Sequence, residues 1–341
     1  GSRHLTVSSF NGGKEMNNTD KHLIACNDPF HSVVSSFDVV NGMDTYLLGV
    51  KNDNHIPSSF VRRLEKTGKY ALHTIDHMSA SGRAIDLQLV NPLTGRWMTG
   101  SSSGTAVNVF LGINDVGIGT DGGGSVLAPA MSLNLFSFMS PILENEHMIQ
   151  FNKTSTDGIV FHPSLGFITS KKSVLEEIIR DCFELPEYTK NLKIAVSTED
   201  THAYPFVTEA IKYPDIYGNR QIGIEFLTKA LEQYDVVISF EGPVDLVQYG
   251  DTVYGHFDKK TQNMQRQSGK GLLRVVNMVS ATAITIPSDK LGFGFVLITK
   301  SKLENIAGLI VIMNEIPWEE DILVKDYFRN IQTWTRKGFG F

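Results

Sequence analysis

The sequence predicts an α/β fold in which a central sheet is covered by helices on both faces. Apolar runs of strand length recur along the chain, and segments with the helical period of 3.6 residues alternate with them. Strands that are apolar on both sides need helices on each face of the sheet to bury them. No internal repeat, long linker or composition shift divides residues 45–341, so we expect a single domain there, preceded by a weakly patterned segment, 1–44.

The elements follow from these patterns in chain order. The predicted strands are 45–50, 116–119, 193–197, 234–240, 282–287 and 292–299. The predicted helices are 58–69, 106–112, 173–182, 221–233 and 302–315. We expect the first of these helices to be capped by Ser58 or Ser59, and the third to begin with a capping box formed by Ser173 and Glu176. Residues 91–105 are rich in Gly, Ser, Thr and Pro, which predicts a loop.

The composition narrows the classes of protein to which this chain could belong. The 341 residues are 41% hydrophobic and 20% charged, which is typical of a soluble globular protein with a sizeable core. A formal net charge of −6 argues against nucleic-acid binding. We find no apolar run near the ~18 residues of a membrane span and no signal-peptide pattern, so we expect a cytoplasmic protein that contacts no membrane. Cys26 and Cys182 are too few for a disulfide framework or a zinc site.

The stretch GIGTDGGGSVLAPA, residues 117–130, concentrates five glycines and a serine before an apolar run. A phosphate-binding loop is one explanation, since Gly117, Gly119 and Gly122 satisfy G-x-G-x-x-G after a predicted strand. That motif requires a helix to begin at the third glycine, whereas two more glycines follow here. No G-K-[ST] sequence is present, which excludes a Walker loop. The spacing alone is therefore weak evidence for nucleotide binding.

Two explanations of the stretch remain, a linker and the setting of a nucleophile. A linker is polar on both sides, but VGIG and LNLFSF flank these glycines. A nucleophilic serine needs a tight turn and converging N–H groups that stabilise an oxyanion, and glycines supply both. Ser125, preceded by Gly122, Gly123 and Gly124, fits that need. No histidine stands in a triad-like motif, so the base must come from elsewhere.

Two upstream segments complete a pattern that resembles a known family. GVK at 49–51, the GSSSG loop at 100–104 and TDGGGS at 120–125 together resemble the amidase signature family. Weaker similarity extends over roughly residues 45–315, including a segment at 154–179 and NMVSATAITIPS at 277–288. The resemblance implies the family's α/β fold with a mixed central sheet, and a catalytic domain at 45–341.

The resemblance also implies a catalytic apparatus. It assigns the nucleophile to Ser125, a bridging serine to Ser101 after a cis peptide bond from Gly100, and the base to Lys51. The oxyanion donors would be backbone groups of Gly122, Gly123, Gly124 and the nucleophile itself. Such a Ser–Ser–Lys relay requires a neutral lysine, which burial favours by lowering its pKa. No cofactor and no metal are implied.

Some residues depart from the family pattern or permit another explanation. Leu127 stands where the family commonly has an arginine that pairs with the carboxylate corresponding to Asp121. His73 and His77 have the i, i+4 spacing of a metal-binding helix but lack the glutamate of a metalloprotease. We interpret them as partly buried polar residues.

Three functions fit the sequence. The first is an amide hydrolase that acts through an acyl-serine intermediate on a small-molecule or peptide amide. The second is an acyl or amide-nitrogen transferase of the same family, which works in a biosynthetic pathway or with a partner subunit. The third, from another class, is a catalytically inactive binding or scaffold protein; the presence of Ser125, Ser101 and Lys51 together argues against it. A homo-oligomer is compatible with all three.

Overall fold

The computed structural model describes residues 16–39 and 44–328. Its strands are β1 Val33–Ser36, β2 Tyr46–Lys51, β3 Tyr70–Asp76, β4 Ile85–Val90, β5 Trp97–Thr99, β6 Val116–Asp121, β7 Phe136–Ser140, β8 Lys153–Thr154, β9 Val160–Phe161, β10 Ser164–Thr169, β11 Ile194–Ser197, β12 Glu209–Ile211, β13 Val236–Glu241, β14 Ala281–Pro287 and β15 Gly294–Lys300. Its α-helices are α1 Asn18–Asn27, α2 Ser58–Lys66, α3 Ser103–Phe110, α4 Leu127–Ser132, α5 Asn145–Met148, α6 Lys172–Cys182, α7 Arg220–Gln233, α8 Lys259–Arg266, α9 Leu303–Glu315 and α10 Ile322–Asp326.

An eleven-stranded mixed sheet forms the centre of the molecule, in the order β1-β3-β2-β6-β10-β7-β14-β15-β13-β11-β12. Strand β2 runs parallel to β3 and β6, and its Val50 is paired with Ile118. Each neighbouring pair in the run β6-β10-β7-β14-β15-β13 is antiparallel, and β13 is parallel to β11. The short pairs β4–β5 and β8–β9 lie outside this sheet.

Helices cover both faces of the sheet, which confirms the predicted fold class. Along β7, Phe138 packs into the apolar cluster that contains α2, α6 and α9, whereas the next residue, Met139, packs into a cluster that contains α4 and α7. Successive strand residues point to opposite faces, so these clusters lie on opposite sides. Helices α1 and α3 complete the second side.

The predicted strands and helices are present with shifts of a few residues at their ends, but several details were wrong. The expected caps are absent: Pro57 and Lys171 precede α2 and α6, and neither helix has a side-chain cap. Glu176 bonds Arg180 instead. The predicted loop 91–105 contains β5 and the start of α3.

The N-terminal segment has more structure than its weak pattern indicated. Within the described residues, α1 and β1 form there, and β1 extends the main sheet by pairing with β3. Their burial is sparse, since only Ile24 and Ala25 of α1 are buried. The sequence signal was weak because these elements bury little. Residues 1–15 and 40–43, also part of this prediction, lie outside the described residues.

The parallel strands β2 and β6 determine where polar chemistry can collect. Both end at one edge of the sheet, β2 with Lys51 and β6 with Asp121. Carboxyl ends of adjacent parallel strands bring following loops together, which is where α/β proteins commonly bind ligands. In the described ranges, 16–39 and 44–328, no helix has the length and apolar character needed to traverse a bilayer.

Candidate active site

Lys51 ends β2 inside the protein. Its side chain is nearly fully buried, and its Nζ lies 2.7 Å from Ser101 Oγ and 2.7 Å from Thr120 Oγ1. Burial lowers the pKa of Lys51 to about 8, because desolvation disfavours the ammonium more than Asp53, 3.8 Å away, favours it. The predicted contact between Lys51 and Ser101 is present, and the amine can lose its proton near neutral pH.

Ser101 lies in the turn between β5 and α3. The predicted cis bond before it was wrong: among the described residues the cis peptide bond is Gly242–Pro243, so Gly100–Ser101 is trans. The chain reverses instead through Gly100, whose φ is +75°, a conformation that glycine adopts without strain. A β-carbon there would lie 2.6 Å from Pro129 Cδ, so a glycine is also required for space.

The glycine turn after β6 presents Ser125. The buried Asp121 carboxylate accepts the N–H groups of Gly124 at 3.0 Å, Val126 at 2.8 Å and Leu127 at 3.2 Å, which folds the chain back on itself. Burial raises the pKa of Asp121, and these three N–H groups oppose that rise by stabilising the carboxylate. The carbonyl of Ser125 accepts the N–H of Ser102, which ties the two loops together.

The departure at Leu127 has a structural explanation. Leu127 is fully buried in the apolar cluster under β7 and β14, and its side chain takes no part in the polar site. The carboxylate of Asp121 needs no arginine here, because three backbone donors satisfy it. The substitution therefore leaves the turn intact.

A cavity of about 310 Å³ opens onto these residues. Lys51, Ser101 and Ser125 line it together with Gly122 and Gly123. The hairpin β8–β9 lies over one side, where a β-carbon at Gly122 would meet the ring of Phe161. The loop before β14 also lines the cavity, through Lys270 and Arg274. The site is thus a partly open pocket at the carboxyl ends of β2 and β6.

The chain has recognisable similarity to known proteins over this region. The amidase family model matches residues 56–138. Solved structures with the same fold include a glutamyl-tRNA(Gln) amidotransferase component from Thermotoga maritima, with a TM-score of 0.62 and 15% identity over 89% of this chain and 92% of that one. The allophanate hydrolase from Kluyveromyces lactis gives 0.58 and 13% over 88% and 70%, and 6-aminohexanoate cyclic dimer hydrolase gives 0.56 and 14% over 89% and 95%. A search of curated proteins gives no significant match.

The family match over residues 56–138 and the shared fold make this chain similar to amidases. The family match indicates an enzyme that acts on carbon–nitrogen amide bonds. The amidase match includes Ser101 and Ser125 but begins after Lys51, whose place in the site comes from its contacts.

His73 and His77, the two histidines considered in the sequence, lie apart from this pocket. His73 is buried, with Nδ1 2.8 Å from Asn114 Oδ1 and Nε2 3.2 Å from His22 Nδ1. His77 Nε2 lies 2.9 Å from Asp86 Oδ2. Across the described part of the chain, no group of three or more His, Cys, Asp or Glu side chains could hold a metal ion.

Four polar residues at the site were not predicted from sequence. Thr120 and Asp53 extend the contacts of Lys51, since the Thr120 hydroxyl donates to Asp53 Oδ2 at 2.7 Å. Their nearness to the T-D and V-K motifs could have indicated them. Arg220 and Arg274 also line the cavity. No motif marks either arginine, because the fold brings them to the site from distant segments.

Proposed function

We propose that this protein hydrolyses a small amide through an acyl-Ser125 intermediate, with Ser101 and Lys51 as a proton relay. The observation that carries the proposal is the 2.7 Å contact of buried Lys51 Nζ with Ser101 Oγ, in the cavity that Ser125 also lines. A general base works best with a pKa near the working pH, and burial brings the pKa of Lys51 to about 8.

Acylation begins from neutral Lys51. Its Nζ takes the hydroxyl proton of Ser101 while Ser101 Oγ takes that of Ser125, and Ser125 Oγ forms a bond to the amide carbon. The carbonyl oxygen then carries the negative charge. As the carbon–nitrogen bond breaks, the leaving nitrogen receives a proton from Ser101, and the Lys51 ammonium replaces it. The products of this half-reaction are the free amine and acyl-Ser125.

Deacylation repeats the relay with water. A water molecule loses a proton towards Ser101 and Lys51, and its oxygen attacks the ester carbon of acyl-Ser125. The bond from that carbon to Ser125 Oγ breaks, and Ser125 recovers its proton through Ser101. The carboxylic acid leaves, and neutral Lys51 is restored.

Backbone N–H groups of the glycine turn stabilise the oxyanion in this proposal. The N–H of Gly124 is engaged by Asp121, so Gly124 serves the site through its conformation rather than as a donor. The N–H groups of Gly122, Gly123 and Ser125 remain as the proposed donors. Losing one such donor costs a factor of about 10² to 10³ in rate in other hydrolases.

Labelling with a fluorophosphonate tests the proposal. We expect the parent protein to form an adduct on Ser125, Ser125→Ala to form none, and Ser81→Ala, which changes another serine of the same cavity, to label like the parent. The parent and Ser81→Ala should also release ammonia from small primary amides, and Ser125→Ala should not. Labelling that survives Ser125→Ala, or a parent that neither labels nor turns over, would favour the inactive binding protein. Hydroxamate formation with added hydroxylamine would indicate acyl transfer.

A further inference from the structure

Arg220 presents an unused donor to the glycine turn. It begins α7 and is almost completely buried, and its Nε and Nη2 donate to the two oxygens of Asp157 at 2.7 and 2.5 Å. Its third nitrogen, Nη1, has no hydrogen-bond partner among the described residues. A β-carbon at Gly123 would lie 2.8 Å from that nitrogen. The guanidinium therefore projects to the place where the proposed oxyanion donors meet.

Arg274 adds a second buried guanidinium beside the first. Its donors go to main-chain carbonyls, with Nη2 2.7 Å from Ile216 O and 3.1 Å from Gly218 O, and it is paired with no carboxylate within the described residues. Burial lowers the pKa of Arg274 to about 10, and the charge of Arg220 acts in the same direction. The two guanidinium groups therefore repel each other.

The cavity carries more positive than negative charge. The basic side chains that line it are Arg83, Arg220, Arg274, Lys51, Lys153 and Lys270, against the carboxylates of Asp53 and Asp251. Arg83 is paired with Asp251, and Lys270 with the buried Asp245. The guanidinium of Arg274 forms no such ion pair within the described residues, while the charges of Glu241, Asp157 and Asp215 favour it without direct contact. A buried charge without an ion-pair partner is costly to the folded protein, and an anionic ligand would offset that cost.

We propose that the substrate carries a carboxylate, which Arg220 and Arg274 bind beside the scissile amide, so that the enzyme acts on small amides of dicarboxylic acids. This inference rests on the proposed hydrolase function. Guanidinium groups bind carboxylates through paired, charge-assisted hydrogen bonds, and Arg220 keeps one nitrogen available for it. A cavity of about 310 Å³ fits a small molecule in which a few carbon atoms separate the amide from the carboxylate.

Binding to a variant that cannot react tests the substrate class without requiring turnover. We would titrate Ser125→Ala with succinamate and glutaramate and with their neutral counterparts, butyramide and valeramide, and follow the ligands by NMR. We expect the anionic amides to bind about 10- to 100-fold more tightly, as charge-assisted hydrogen bonds allow. Equal affinities within each pair would overturn the inference and leave the fluorophosphonate result, and hence the hydrolase proposal, unaffected.

Two further substitutions distinguish a role of Arg220 in ligand binding from a role in holding the β8–β9 hairpin. Both Arg220→Gln and Asp157→Asn break the Arg220–Asp157 ion pair, but only the first removes the cation. In the Ser125→Ala background we expect Arg220→Gln to abolish the preference for anionic amides, and Asp157→Asn to keep or increase it. Thermal melting checks that each variant folds. If Asp157→Asn loses the preference as well, or if Arg220→Gln keeps it, Arg220 serves only to hold the hairpin.

Discussion

Two walls of the cavity bury positive charge with opposite consequences. The relay wall consists of Lys51, Ser101 and the turn that ends at Ser125, and the arginine wall consists of Arg220 and Arg274. Lys51 and Arg274 are buried to about the same extent. Burial brings the pKa of Lys51 to about 8 but leaves that of Arg274 at about 10. The same desolvation brings proton loss close to neutral pH on one wall and leaves a cation on the other.

The difference teaches why the two residue types are not interchangeable at this site. An amine on a flexible stem becomes a proton acceptor when it is desolvated among hydroxyls, as Lys51 is beside Ser101 and Thr120. A guanidinium keeps its proton and must be matched by an anion, either within the protein or on a ligand. In our proposals the relay wall transfers protons and the arginine wall selects the substrate.

Removing the basic nitrogen from the relay wall has the largest expected effect. Lys51→Met keeps the length of the side chain, so we expect a folded protein whose kcat falls by about 10² to 10⁴, the range typical of general-base loss. The measurement is steady-state amide hydrolysis, together with the rate of fluorophosphonate labelling of Ser125. Thermal melting provides the control for folding. Retention of most of the activity would remove Lys51 from the mechanism.

The pH dependence of activity distinguishes the lysine from a histidine base. Since neutral Lys51 is the active form and its folded pKa is about 8, kcat/KM should rise about tenfold per pH unit up to that point and then level. Asp53, Asp121 and Lys153 face the amine; the two carboxylates raise its pKa and Lys153 lowers it. A pH–rate profile locates the midpoint.

The control for this profile is His55, which packs against Asp53 near the relay. Burial lowers the pKa of His55, so a histidine base would give a midpoint well below that of Lys51. We expect His55→Gln to leave the midpoint near 8, the pKa of Lys51. A midpoint that shifts with this substitution would identify histidine, rather than lysine, as the titrating base.

The relay wall could be predicted from sequence, because its residues lie in short motifs at the ends of β2 and β6. Ser125 and the glycines are predicted from turn chemistry, whereas Ser101 and Lys51 come from the family resemblance. The structure brings Lys51 to Ser101 as expected. The trans bond between Gly100 and Ser101 was not predicted, because the family resemblance implied a cis bond. The sequence did not show that the chain reverses here through the positive φ of Gly100.

The arginine wall could not be predicted in the same way. Arg220 begins an amphipathic helix and Arg274 lies in a short 3₁₀ turn, and in sequence each resembles an ordinary surface arginine. Their burial follows from long-range packing of the segment 241–278, in which the carboxylate of Glu241 accepts the N–H groups of Gly271 and Leu272. The position of β1 in the sheet could not be predicted from local sequence either, because it depends on pairing with β3.

Neutralising the arginine wall should change substrate binding and spare the chemistry. With succinamate as substrate we expect Arg220→Gln to raise KM about 10- to 100-fold and to change kcat by no more than a few-fold. With butyramide both constants should stay near those of the parent. Steady-state kinetics with the two substrates measures this. A drop in kcat with butyramide would instead link Arg220 to the transition state.

Substitutions at the two glycines where the walls meet separate backbone strain from contact with the arginine. Gly124 has φ +103°, and a β-carbon there would lie 2.7 Å from Leu273 Cδ1 and 3.2 Å from Leu273 O. Gly123 has no such backbone constraint, and its nearest neighbour is the flexible end of Arg220. We expect Gly124→Ala to lower the free energy of unfolding by about 2–4 kcal/mol, since left-handed strain and crowding against a backbone oxygen add.

Gly123→Ala should cost less than about 1 kcal/mol of stability, because a side-chain end can move aside. The displaced guanidinium of Arg220 would then bind the carboxylate of succinamate less tightly. This variant should therefore lose affinity for succinamate while its affinity for butyramide stays the same. Urea unfolding of both variants and titration of each in the Ser125→Ala background measure the two effects. If Gly123→Ala were as destabilising as Gly124→Ala, the turn would be rigid at both positions. If it kept the full preference for succinamate, the arginine wall would not reach the reacting amide, and the two walls would have to act on separate ligands.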